Sequence, residues 1–176
     1  NKIIMVNSFK GGAGKTSVAI SHCVTEKIES KYDMVYFLDV DLLGTGSAYT
    51  LFKTEEMDKL NYLNTYNANE HHKFTKKVSL KDTRKKDHDI YASYSGKNML
   101  RDNENVMYSS FYDKITEFIR KVLKVKTRNL IVIDCSPGLS AFEVDLMYAI
   151  YKIVEDAEND CVFDEIYVTT FDYAHL

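Results

Sequence analysis

A single proline, only three cysteines and no long apolar run set the first limits on this 176-residue chain. With Pro137 as the only proline, a long proline-rich linker is excluded. Cys23, Cys135 and Cys161 are odd in number and far apart, which argues against a disulfide framework, a cysteine zinc site or any other metal cluster. Such usage fits a reducing compartment, and a cytoplasmic location is expected. No apolar stretch approaches the ~18 residues of a membrane span, so no integral membrane segment is expected. A signal peptide is not expected either, because Lys10 and Lys15 interrupt a glycine-rich stretch where a leader would be apolar. An excess of one charge is missing too. Lys and Arg number 23 against 26 Asp and Glu, and a net charge of -3 gives no global pull towards nucleic acid or membrane. The chain begins at Asn1 without methionine, as a processed, trimmed or partial chain would.

What remains is ordinary for a globular protein: 45% hydrophobic and 28% charged residues, in a length that suits one domain with a real core. Short apolar runs at residues 2–6 (KIIMV), 34–41 (MVYFLDVD), 129–134 (NLIVID) and 163–171 (FDEIYVTTF) read as strands. Between them lie helical patterns. Val18, Ile20, Cys23, Val24 and Ile28 give one apolar face, and Phe111, Ile115, Phe118, Ile119, Val122 and Leu123 give another within 109–126. A third helix is predicted over 141–158, with Leu146, Met147, Ile150, Ile153 and Val154 inward. Strands alternating with helices predict an α/β fold with a mostly parallel sheet covered on both faces. Residues 53 to about 105 are polar and harder to read, an insertion or expanded region within a single domain spanning 1–176. They hold a basic patch at 71–86, read as an exposed lysine-rich loop or a phosphate contact, and a short alternating piece at 89–95.

The stretch NSFKGGAGKTS, residues 7–17, sits between the first strand and the first helix. A glycine loop in that setting turns successive N–H groups inward beside a helix N-terminus, which makes an anion site. Gly11, Gly12 and Gly14 permit the tight turn and the close approach of a phosphate. Lys15 is placed to reach the outer phosphates of a nucleotide, and Thr16 to give its hydroxyl to Mg2+. Asp134, ending a buried strand, is the expected carboxylate partner of that cation. Asp39 and Asp41 end the second strand, and period-two alternation predicts one shared face for both, one near Mg2+ and one aligning a water. The general phosphate-loop pattern fails at one point, because Phe9 stands at its first-glycine position with an extra lysine, Lys10, beside it.

KGGAGKTS resembles the deviant Walker A loop, K-G-G-x-G-K-[ST], of the ParA/MinD family of ATPases. FLDVDLLG resembles that family's A′ segment, and LIVIDCSPGLS its Walker B and switch II segment, with Ser136 where a second proline is usual. The resemblance covers roughly residues 2–50 and 128–171. It implies a P-loop NTPase fold of the SIMIBI type that uses ATP and Mg2+. Gly11, Gly12, Ala13, Gly14, Lys15, Thr16 and Ser17 would bind the nucleotide. Thr16, Asp39 and Asp134 would serve the metal, and Lys10, Lys15 and Asp41 the catalysis. Lys10 would reach across an ATP-dependent homodimer to the partner's nucleotide, as an arginine finger does. Family members usually continue past the last strand, so the chain is expected to be C-terminally truncated, and no base-reading motif is visible.

The resemblance implies a slow ATP-hydrolysing switch, and its output is read in more than one way. A ParA-like output is the partitioning or positioning of DNA or other cargo, with non-specific DNA met by the patch of Lys73, Lys76, Lys77, Lys81, Arg84, Lys85 and Lys86. A MinD-like output is regulation of a protein or membrane system through a protein activator. A tyrosine kinase sharing the loop and a nitrogenase-reductase-type electron donor rank lower. His71 and His72 read as a solvated pair rather than metal ligands, and Tyr91 and Tyr94 as strand packing rather than base-stacking groups.

Overall fold

The computed structural model describes residues 1–41, 50–51, 75–81, 87–93, 104–157 and 160–170. Within them the elements run β1 (Lys2–Ser8), α1 (Lys15–Ile28), β2 (Met34–Asp39), β3 (Lys76–Lys81), β4 (Asp87–Ser93), α2 (Glu104–Lys124), β5 (Asn129–Pro137), α3 (Ala141–Glu155) and β6 (Val162–Tyr167). The six strands form one sheet in the order β3-β4-β2-β5-β1-β6. Every neighbouring pair is parallel except β3 and β4, which are antiparallel.

Alternation along the central strands sorts side chains to two faces, as the period of two requires. Ile4, Val6, Val35, Phe37, Leu130 and Val132 pack with Ala19 and Cys23 of α1. Ile3, Met5, Leu38, Ile131, Ile133 and Cys135 pack with the apolar stripes of α2 and α3. The two helices on that face are joined by Phe111 and Phe142, whose rings stack with centroids 5.4 Å apart. β5 is buried along almost its whole length, which is why its sequence is a continuous apolar run and not an alternating one.

Several boundaries differ from those predicted. α2 begins earlier, at Glu104, and α3 and β6 are shorter than read, ending at Glu155 and Tyr167. β5 runs on through Cys135 to Pro137, so the segment after Asp134 is only partly a turn. A bulge absorbs the extra length: Val6 faces Asp134 while Ser8 faces Pro137. The basic stretch is not simply a loop either, since Lys76–Lys81 is the edge strand β3. Its Val78 and Leu80 pack on the α1-side core, an apolar alternation hidden by the lysines around it. Two strands of the polar region thus belong to the main sheet. His71, His72, Lys73, Arg84, Lys85, Lys86 and Tyr94 lie outside the described residues. Tyr91 packs against Tyr36, with ring centroids 5.8 Å apart.

Candidate phosphate-binding site

The glycine loop lies at the carboxyl end of β1, one strand in from the β6 edge of the sheet. Gly12 and Gly14 adopt φ values of 76° and 90°, the left-handed region that a side chain would strain. Gly14 is also the N-cap of α1, and no side chain caps that helix. Its first turn carries no acidic residue. The contrast is α3, where Ser140 and Glu143 form a full capping box. Own side chains cap the N-terminus of α3, while those of the α1 loop leave its N-terminal N–H groups and dipole to an anion.

Thr16, one residue into α1, donates its hydroxyl to Asp134 Oδ2 at 2.6 Å. Asp134 is 1% exposed, and its other oxygen, Oδ1, is buried with no hydrogen-bond partner. Burial pushes its pKa up to about 6, against the lowering by the Thr16 hydrogen bond and the Lys15 charge, and Asp41 adds a further push upward. Asp39 pairs in register with Asp134 across β2 and β5 and is equally buried. Lys15 is buried to 8% exposure.

Asp41 is a correction. β2 stops at Asp39, and the Asp39 carboxylate accepts the Asp41 backbone N–H at 2.9 Å through Oδ1. That side-chain bond turns the chain out of the strand, so alternation does not relate the two carboxylates. Electrostatics still places Asp41 close enough to act on Asp134. The structure therefore brings Lys15, Thr16, Asp39, Asp41 and Asp134 together. Lys10, Gly11, Gly12, Gly14 and Ser17 are exposed on the loop and helix start, with Ala13 half-buried.

Sequence reasoning misses Ser8. Its hydroxyl donates to the Lys10 carbonyl at 3.0 Å, and its own carbonyl accepts the Gly138 N–H at 2.7 Å. These bonds tie the glycine loop to the turn after β5, where Gly138 has φ 91°. A small polar residue between a buried strand and a glycine loop is the available signal.

A family model described as "AAA domain" matches residues 1–157. The chain belongs to the ParA/MinD family of P-loop ATPases. A ParA family ATPase from Chlorobium tepidum TLS has a similar fold, with a TM-score of 0.50 at 10% identity, covering 94% of this chain and 72% of that one. A plasmid partition protein from Borrelia burgdorferi is similar at a TM-score of 0.48 and 15% identity, covering 99% and 81%. So is a cobyrinic acid a,c-diamide synthase from Mycobacterium smegmatis with bound ADP and magnesium, at a TM-score of 0.48 and 14% identity, covering 99% and 76%. A search of the curated proteins found no match. As in the ParA/MinD loop pattern, the first-glycine position is open to another residue, here Phe9. No helix among the described residues is long and apolar enough to cross a membrane.

Proposed function

We propose that this ParA/MinD-family chain binds ATP with Mg2+, hydrolyses it slowly and dimerises around it, as a switch that partitions or positions DNA or other cargo. The observation that carries the reading is the Thr16–Asp134 pair at 2.6 Å, with a buried carboxylate oxygen beside it that has no partner. An orphaned buried carboxylate oxygen is costly, and a divalent cation or its water is the partner that removes the cost.

In this reading Gly11–Thr16 and Lys15 hold the phosphates, with the open N-terminus of α1 behind them. Thr16, Asp134 and Asp39 hold Mg2+, directly or through its waters. Bound there, Mg2+ would neutralise charge across the outer phosphates. Asp41 orients the attacking water from the turn that follows β2. Lys10, exposed on the outer side of the loop, serves the nucleotide of a second copy. Because that charge comes in trans, hydrolysis is tied to assembly, and nucleotide state sets the oligomer.

The decisive experiment is size-exclusion chromatography of the Asp41→Ala protein with and without Mg–ATP. Blocked turnover should trap a dimer, and adding Lys10→Ala should return it to monomer with one nucleotide still bound per chain. An Asp41→Ala protein that binds ATP yet stays monomeric would remove the trans-lysine mechanism. DNA as cargo is tested by ATP-dependent binding at low salt, and an absence of binding there points to another cargo.

A further inference from the structure

Phe9 stands where the loop leaves β1, directly before Lys10, and is 67% exposed. Its ring is stacked on Tyr167, the last residue of β6, with centroids 5.7 Å apart and planes 17° apart. Tyr167 is held in turn. Its hydroxyl donates to Glu165 Oε2 at 2.9 Å, and the hydroxyl of Tyr151 on α3 donates to Oε1 of the same carboxylate at 3.1 Å. The Tyr151 ring meets Phe163 of β6 edge-on, with centroids 4.8 Å apart. Accepting both hydrogen bonds, Glu165 raises the pKa of each phenol, which keeps both protonated as donors. The backbone closes the set, since Val168 N–H donates to the Asn7 carbonyl at 2.8 Å.

A continuous line of contacts thus runs from α3 through β6 to the first residue of the loop. On its other side the same segment is fixed by the Ser8 hydroxyl on the Lys10 carbonyl. Lys10 sits between these two restraints. The groups that would hold the chain's own phosphates, Gly11 to Thr16, come after them in the loop.

We propose that Tyr167 is a positioning residue for Lys10, acting through Phe9, with Glu165 and Tyr151 holding its ring in place. The role rests on the reading of Lys10 as the trans-acting lysine. Stacking fixes the direction in which the loop leaves β1, and so the direction in which Lys10 is presented to a second copy. Own-nucleotide binding does not pass through the stack. Loss of Tyr167 is therefore a defect in turnover and not in affinity.

The chain has no tryptophan, so Phe9→Trp introduces the sole indole and reports on the stack without nucleotide. Its emission should shift to the red, with greater acrylamide quenching, when Tyr167→Ala is added, and should shift less with Tyr167→Phe, which keeps the ring but loses the Glu165 bond. In the Phe9 background, Tyr167→Ala should lower kcat for Mg–ATP about tenfold, below the ~100-fold of a 1 Å misplacement. The Kd for a non-hydrolysable ATP analogue should stay within about twofold, because the groups binding it are intact. Tyr167→Phe, which keeps the ring but loses the Glu165 bond, and Glu165→Ala, which frees both hydroxyls, should both fall between wild type and Tyr167→Ala. An indole emission indifferent to Tyr167→Ala would overturn the proposal, as would an unchanged kcat once the stack is lost. Parallel losses of kcat, affinity and thermal midpoint would make Tyr167 a structural residue and overturn it as well. A wild-type chain that binds no Mg–ATP would overturn the switch reading and the positioning role together. A wild type that turns over ATP, with Tyr167→Ala equally active, would overturn the positioning role alone.

Discussion

Asp134→Asn should make the metal-free protein relatively more stable as pH rises. The Asp134 carboxyl has a pKa of about 6 in the folded chain against an ordinary value of 3.8, with burial as the largest cause. The folded state therefore holds its proton more tightly than the unfolded state. Stability from this group is fully present below the unfolded value and is lost as pH rises through the folded one. A difference of one pH unit between the two values is worth about 1.4 kcal/mol, so the wild type forfeits about 3 kcal/mol by pH 8, of which about 1.4 kcal/mol is lost between pH 5 and pH 8. Asparagine does not titrate. Its carbonyl keeps the Thr16 hydroxyl bond, and its NH2, with two N–H donors, replaces the buried unpartnered oxygen at a roughly pH-independent cost of about 1–3 kcal/mol. The difference between variant and wild type should accordingly move towards the variant by about 1.4 kcal/mol across that window. Urea unfolding at several pH values in the presence of EDTA measures it, since groups remote from the site titrate alike in both proteins. A flat difference would refute the desolvation of Asp134. A change of opposite sign would show that Lys15 holds it as an ion pair. With Mg–ATP added the balance should move towards the wild type, because it gains ligand stabilisation that the variant lacks.

Two further outcomes are expected away from the titrating group. Phe111→Ala empties the junction of α2 and α3, where a fully buried ring stacks on Phe142, and should cost about 3–5 kcal/mol in urea unfolding. Ser140→Ala removes the capping box of α3 and should cost about 1 kcal/mol, with nucleotide affinity unchanged because the proposed function assigns the phosphates to α1 and not to α3.

The parallel core was legible because its strands are short apolar runs and its helices carry stripes at helical spacing. KIIMV, NLIVID and the stripe from Phe111 to Leu123 needed no tertiary information. β3 was not legible, since Val78 and Leu80 alternate within a lysine-rich stretch and gain their meaning only from pairing with β4. The end of β2 was misjudged for a local reason: the Asp39 side chain captures the backbone of Asp41 and competes with the strand ladder. At the site, glycine spacing exposed the loop, and the end of an apolar run exposed Asp134, although β5 itself continues to Pro137. The Thr16–Asp134 contact joins residues 118 apart, and the Phe9–Tyr167 stack joins the two ends of the described chain, so no local pattern could show either.

The placement of Asp134 has a kinetic consequence. It lies on β5, which is flanked by strands on both edges and packed by helices on both faces. Amides in such a strand exchange with solvent only when the whole domain opens, whereas loop amides exchange through local fluctuations. The carboxylate that would anchor the metal is thus as long-lived as the fold itself. If the proposed function holds, release of a spent nucleotide would come from motion of the glycine loop and its neighbouring turn, on a timescale decoupled from the breathing of the sheet. Slow deuterium uptake at residues 130–134 beside fast uptake at 9–14 would be the signature of that separation.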